Sequence, residues 1–171
     1  DNLRTNNALR NARLKPLRIG AVAHPVVEMT DCWDDYMGSR NMSGRMDFIQ
    51  SEKVIEHCGP ISFHRWRPAG GIVGATDRRW DLFRVLEGIR RDVKGRGRRD
   101  DCELAVMKDA HSAAVDAGVV EFCSLTVSGR PAACAYNYRT GSRLENVFLG
   151  ARQEYGDAAL TCLLGHMLRD S

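Results

Sequence analysis

Apolar positions recur along this chain in two periods, and the switch between them predicts its architecture. Over Ile61–Arg67 the pattern alternates, with Ile61, Phe63 and Arg65 set against Ser62, His64 and Trp66, as in a strand. Pro68–Gly74 reads as a loop of Gly and Pro. With Thr76 or Asp77 as its cap, a helix follows that carries Phe83, Leu86, Ile89 and Val93 on one face and Arg84, Arg91 and Asp92 on the other. A second helix is predicted from about Asp101 to Ala117, with Leu104, Met107, Ala110 and Ala114 at helical steps and Gly118 as its stop. The period then falls to two. Val119–Val127, Pro131–Arg139 and Ser142–Leu149 read as an antiparallel meander turned at Ser128-Gly129 and Thr140-Gly141. A last helix runs from about Asp157 to Arg169, with Leu160, Leu163, Leu164, Met167 and Leu168 as its buried stripe.

Ahead of Ile61 the pattern is looser. Pro16–Ala23 alternates weakly, and Pro25–Met29 reads as a short strand. Thr30 or Asp31 is placed to cap a short helix through Trp33, Tyr36 and Met37. Ser39 is placed to cap another whose apolar positions are Met42, Met46, Ile49 and Val54, stopped by Gly59-Pro60. From Ile61 onward the order is strand, helix, helix, three antiparallel strands, helix. That order predicts an α/β fold of the α+β type around a mixed sheet.

Length and charge narrow the class. A chain of 171 residues can bury one core, and a net charge of +3 argues for neither a polyanion partner nor an acidic tail. Its longest apolar runs are far too short to span a bilayer, and no signal peptide is visible. The polar start at Asp1–Asn7, without Met, and the stop at Arg169-Asp170-Ser171 predict a piece of a longer protein. Cysteines at 32, 58, 102, 123, 134 and 162 form no C-x-x-C pair, and no His lies at zinc-finger spacing, so no metal is expected. Free thiols in a reducing cytoplasm are the plain reading, with Cys123 and Cys134 a reduced pair on adjacent strands. The five His read as surface or helix-face residues, and the Trp residues as packing. Lys94–Arg99 lacks interleaved aromatics and reads as a solvated connector rather than a nucleic-acid or lipid site.

The candidate chemistry lies between the third strand of the meander and the last helix, at Gly150–Ala159. A helix start leaves backbone N–H groups unpaired and carries positive partial charge. Gly156 allows a ligand close to the backbone, and Ala158 and Ala159 leave it room, which suits a pyrophosphate. Arg152 and Gln153 lie on the approach, where their side chains can reach phosphate oxygens. Asp157 adds a carboxylate to the same loop, unwelcome beside a pyrophosphate unless it caps the helix.

Gln153-x-x-Gly156-x-Ala158 resembles the coenzyme A pyrophosphate motif of GNAT-type acyltransferases, Gln/Arg-x-x-Gly-x-Gly/Ala, which in that family follows the fourth strand and opens the third helix. More of the chain resembles the FemAB-like, CelD/BcsL-type acetyltransferase branch, in which two GNAT-like halves lie in tandem. The matching stretches are Trp33–Arg40, Cys58–Phe63, Lys94-Gly95 and Gly129–Ala133. Val93 stands where that branch often has Trp. The resemblance implies the tail of a preceding half-domain or a linker over 1–29, and a GNAT-like domain over 30–171 whose final strands lie beyond the chain.

It also implies the chemistry: an acyl group, typically acetyl from acetyl-CoA, passes to an amine on a small-molecule, glycan or peptide acceptor. Exopolysaccharide or cell-envelope biosynthesis is the implied setting. The cofactor-binding residues would be Arg152, Gln153, Gly156, Asp157, Ala158 and Ala159. Glu145 is the candidate base, its pKa raised by Val147 and Leu149 on a shared strand face; the plainer reading pairs it with Arg143 or Arg139. Tyr155 can protonate the departing thiolate or simply pack beside the loop. Two rivals stand beside this reading: a FemAB-type transferase using aminoacyl-tRNA, and a non-catalytic lobe that scaffolds its tandem partner.

Overall fold

The computed structural model of the protein describes residues 32–68, 79–94 and 98–170. The expected strand over Pro25–Met29, the caps at Thr30, Asp31, Thr76 and Asp77, and most of the Pro68–Gly74 loop lie outside them. The elements run α1 (Trp33–Ser39), α2 (Met42–Cys58), β1 (Ile61–Trp66), α3 (Trp80–Lys94), α4 (Arg98–Asp116), β2 (Val120–Val127), β3 (Arg130–Thr140), β4 (Arg143–Ala151) and α5 (Gly156–Arg169). The four strands form one sheet in the order β1-β2-β3-β4, antiparallel throughout.

Alternation along the strands divides the core in two. Val120, Phe122, Cys134, Tyr136 and Phe148 face α3 and α4, where Phe83, Leu86, Ile89 and Val115 meet them. Cys123, Leu125, Ala133 and Ala135 face α2 and α5, where Ile55, Ala159, Leu163 and Met167 meet them. Cys123 and Cys134 therefore lie on opposite faces, and each is a buried free thiol. His111, expected on a surface or a helix face, is 1 % exposed; its Nδ1 lies 2.9 Å from the Tyr136 hydroxyl, among Trp66, Trp80 and Phe83.

The first hairpin turns where expected: Ser128 at φ +49° and Gly129 at φ +73° give the two positive-φ residues that a tight β-turn of this hand requires. The second sits one residue later than expected. Thr140 still pairs with Arg143, so Gly141 (φ +59°) and Ser142 make the turn.

The N-terminal helices keep their places, but α2 keeps neither its expected cap nor its expected face. Cys32 Sγ accepts from Asp35 N at 3.4 Å at the head of α1. Asn41 caps α2 through Gly44 N at 2.8 Å, while the Ser39 hydroxyl donates back to Tyr36 O. Met42, Met46, Ile49 and Val54 are exposed, and Ile55 is the buried residue of α2. The reason is α5: Arg169 grips Glu52 with two bonds of 2.7 and 2.9 Å, and Phe48 seats against Gly165. Those contacts turn the Phe48–Glu52–Ile55 side inward. Leu163 and Met167 of the expected stripe are buried and Leu160 and Leu168 half-buried, but the same closeness brings Ala159, Cys162 and Gly165 into the interface of α5 and leaves Leu164 outside. Val93 likewise ends exposed at the last turn of α3.

Two outcomes follow from this packing. A Cβ at Gly150 would lie 2.8 Å from Phe148 Cζ and 3.1 Å from Ile89 Cγ2, because α3 crosses β4 there. Gly150→Ala is expected to lower unfolding stability by about 1–3 kcal/mol in a urea titration, by overpacking. The α2–α5 clasp should also weaken in acid. The Arg169 bonds hold the Glu52 carboxyl below its ordinary range, and burial holds the His166 imidazole below its own. Both depressed groups bind protons more readily in the unfolded chain, so stability is lost as pH falls. Melting curves should show the first loss below the ordinary imidazole value of 6.5, flattened in His166→Gln. A second loss should follow below the ordinary carboxyl value of 4.5, flattened in Glu52→Gln.

Candidate functional site

β4 feeds directly into the candidate turn. Ala151 pairs with Ala133, and Arg152 N donates to Ala132 O at 2.8 Å, so the ladder continues one residue past the strand. Tyr155 N and Gly156 N then both donate to Arg152 O, at 3.0 and 3.1 Å, closing a turn in which Gly156 takes φ +56°. A Cβ built on Gly156 meets nothing within 4 Å, so the space beside the turn is open. Tyr155 is the N-cap residue of α5 but makes no capping bond with its side chain. The N–H groups of Asp157 and Ala158 therefore have no acceptor among the described residues, at the positive end of a helix of 14 residues. Open space, two free donors and a favourable helix end suit a pyrophosphate.

The side chains behave differently from the backbone. Arg152 Nε donates to Pro131 O at 2.9 Å and its Nη1 to Asp92 Oδ2 at 2.6 Å. Gln153 Nε2 donates to Asp92 O at 3.0 Å. Both side chains thus bind the turn to the C-terminal end of α3 instead of standing on the approach. Ala159 is fully buried in the core, so it lines no open space, whereas Ala158 is half-buried. Asp157 is exposed in the first turn and makes no capping bond.

Glu145 lacks the shared apolar face its expected role needs, while Tyr155 packs beside the loop, as its plainer reading has it. The β3–β4 register slips between Tyr136 and Asn137, leaving Val147 as a bulge. Glu145 then pairs with Tyr138, while Leu149 pairs with Ala135 on the other face, so Glu145 does not share the face of Leu149. It is exposed, without an apolar surround, and no ion pair joins it to Arg139 or Arg143 among the described residues. Tyr155 sits in the turn itself and packs on the core.

Three polar residues near the bulge escaped the sequence reading. Glu121 and Asn137 are 0 % exposed and are cross-strand partners. Glu121 is held by Arg67 and by Arg65, whose own guanidinium also donates to Met167 O at 2.6 Å. Asn146 Nδ2 donates to Asn137 Oδ1 at 2.8 Å and to Phe148 O at 3.0 Å. Asn137 Nδ2 is buried with no partner, an arrangement that costs roughly 1–3 kcal/mol. An Asn inside the run Ala132–Tyr138, at an inward register, was the available signal.

Among the described residues no group of three or more His, Cys, Asp or Glu is placed to hold a metal, and no helix is long and apolar enough to cross a membrane. Burial pushes the Cys123 thiol up to about 12 and the Cys162 thiol up to about 11, so neither is a ready nucleophile.

Comparison with known families adds one finding: residues 42–171 match the model described as an acetyltransferase (GNAT) domain. No curated protein matches the chain.

The exposed Asp157 carboxylate stands within the turn that would take the phosphates. Asp157→Asn is therefore expected to tighten acetyl-CoA binding about two- to fivefold in calorimetry at low salt, with the gain shrinking as salt is raised.

Proposed function

The chain belongs to the family of acetyltransferase (GNAT) domains, and on that premise we propose that it moves an acyl group from coenzyme A to an amine or amino-sugar acceptor. The observation that carries this reading is the turn at the head of α5, with open space beside Gly156 and unpaired N–H groups on Asp157 and Ala158. Those two donors would hold the pyrophosphate, and Arg152 would add its charge from behind while tied to Asp92. Coenzyme A supplies an activated thioester at the end of a flexible arm carrying two amides.

The arm and the strand match in length. β4 has no neighbour on its second side among the described residues, so its outward N–H and C=O groups are available to those amides. Some thirteen bonds separate pyrophosphate from sulfur, an extended reach of roughly 15 Å. Four to five residues of β4, from Ala151 back to Val147 and Asn146, cover about 13–17 Å. An arm laid along that edge would bring the thioester to the bulge, where an outward N–H of the edge strand would polarise its carbonyl.

The finer parts of the proposal rest on the resemblances over Trp33–Arg40, Cys58–Phe63 and Gly129–Ala133. They favour the FemAB-like, CelD/BcsL-type branch, a tandem GNAT-like half as partner, and an acceptor from exopolysaccharide or envelope biosynthesis. The free thiols fit a cytoplasmic location. One observation favours a second reading, the non-catalytic lobe: Arg152 and Gln153 are both engaged with Asp92 rather than turned to a ligand.

Calorimetry with acetyl-CoA separates the two. The protein should bind, Gly156→Trp should abolish binding by filling the cradle, and Gly156→Asn, which tolerates positive φ, should retain it. If the unmutated protein binds neither acetyl-CoA nor tRNA, the coenzyme A reading fails and the lobe reading is favoured. Equal binding by Gly156→Trp would put the cofactor elsewhere. Salt-dependent binding of tRNA without acetyl-CoA binding would support the aminoacyl-transferase reading.

A further inference from the structure

At the β4 bulge one side chain is held with unusual completeness. Both N–H bonds of the Asn146 carboxamide are engaged, one with Asn137 Oδ1 and one with Phe148 O across the bulge. The group is therefore fixed in orientation. What it has left is Oδ1, which accepts no hydrogen bond among the described residues, on an exposed residue of the strand edge. Behind it Asn137 is fully buried, with its own Nδ2 unpartnered. A buried amide that is only half satisfied does not improve stability. It does fix which way the Asn146 carboxamide faces.

From this arrangement we infer that Asn146 Oδ1 receives an N–H of the attacking amine, and that Asn137 is the positioning residue that aims it. The inference rests on the coenzyme A reading above, since it is the reach of the arm along β4 that brings the thioester beside Asn146 and Val147. The attacking amine must be uncharged to offer a lone pair, and a carboxamide oxygen that accepts one of its N–H groups turns that N–H toward itself. That leaves the nitrogen lone pair free to face the carbonyl carbon. Transfer forms the C–N bond and breaks the C–S bond, whose electron pair stays on sulfur. The nitrogen gives up one proton to solvent, and the thiolate takes one from it. Glu121 is a poor alternative for this contact, because it is buried and already held by Arg65 and Arg67.

The test uses acetyl-CoA as donor and glucosamine as the probe amine, with glucose as the control lacking the nitrogen. In Asn146→Ala, acetyl-CoA affinity by calorimetry should stay within about threefold while kcat/KM for glucosamine falls about a hundredfold, the scale of a misplaced reactant. Asn137→Leu is the discriminating variant. It removes an unsatisfied buried amide, so its Tm should hold or rise, yet kcat/KM for glucosamine should fall about tenfold. A structural role alone would lower Tm and leave transfer intact. In the CoA-loaded protein, glucosamine but not glucose should shift the Asn146 side-chain amide resonances. If the protein binds acetyl-CoA and transfers, but Asn146→Ala works within threefold of the parent or glucosamine leaves those resonances unmoved, the assignment of Asn146 is overturned and the donor site stands. If the protein does not bind acetyl-CoA at all, the donor reading fails and this inference fails with it.

Discussion

Strand β3 is covered on both faces, and the size of its side chains determines where everything around it can lie. Ala132, Ala133 and Ala135 are fully buried, as are Cys134 and Tyr136 beside them. The alanines let α5 settle close to the sheet, and Cys134 and Tyr136 build the thicker layer beneath α3 and α4. An approach that close demands small residues from α5 in return, which Ala159, Cys162 and Gly165 supply. It also fixes where α5 begins. Its first turn must start within one short connection of the end of β4, and Arg152 secures that connection through Pro131 O at the start of β3. The geometry of the turn at the head of α5 is thus a consequence of core packing on the neighbouring strand.

The same turn shows how side chain and backbone divide the work. Arg152 and Gln153 bridge to Asp92, a residue 60 positions earlier, and so tie β4, α3 and the turn into one unit. That tie removes two side chains from direct use on an anion, but it holds the backbone N–H groups of the next residues in place. Backbone donors at a helix start need no side-chain ordering when a ligand arrives, so a cradle built this way is preorganised.

The sequence made the sheet legible because the sheet is governed by local rules. Alternation set the faces of β1 to β3, and Ser128-Gly129 announced its turn type. Where a distant partner decides, the local pattern misled. Met42, Met46 and Ile49 have good helical spacing, yet Arg169 and Gly165 rotate that side of α2 outward. The location of the candidate site could be read from Gln153, Gly156 and Ala158, since a helix start announces itself in composition. The destinations of the Arg152 and Gln153 side chains could not, because nothing near them in sequence points to Asp92. Nor could the bulge at Val147, which reverses the face of Glu145 and removes the apolar surround its expected role required.

That bulge has a structural logic of its own. A slip of one residue on an edge strand leaves the extra residue unpaired in the ladder and increases local twist. Here it is clipped by Asn146, which bonds across it to Phe148 O and inward to Asn137. Two carboxamides and a displaced valine hold an irregular backbone against the regular ladder on either side. Local rules are broken here, at a buried half-satisfied amide, within an arm's length of a cradle whose backbone donors are free. The bulge at Val147 and the turn at the head of α5 lie at the two ends of one short stretch of β4, so the two irregular features of this edge share a strand.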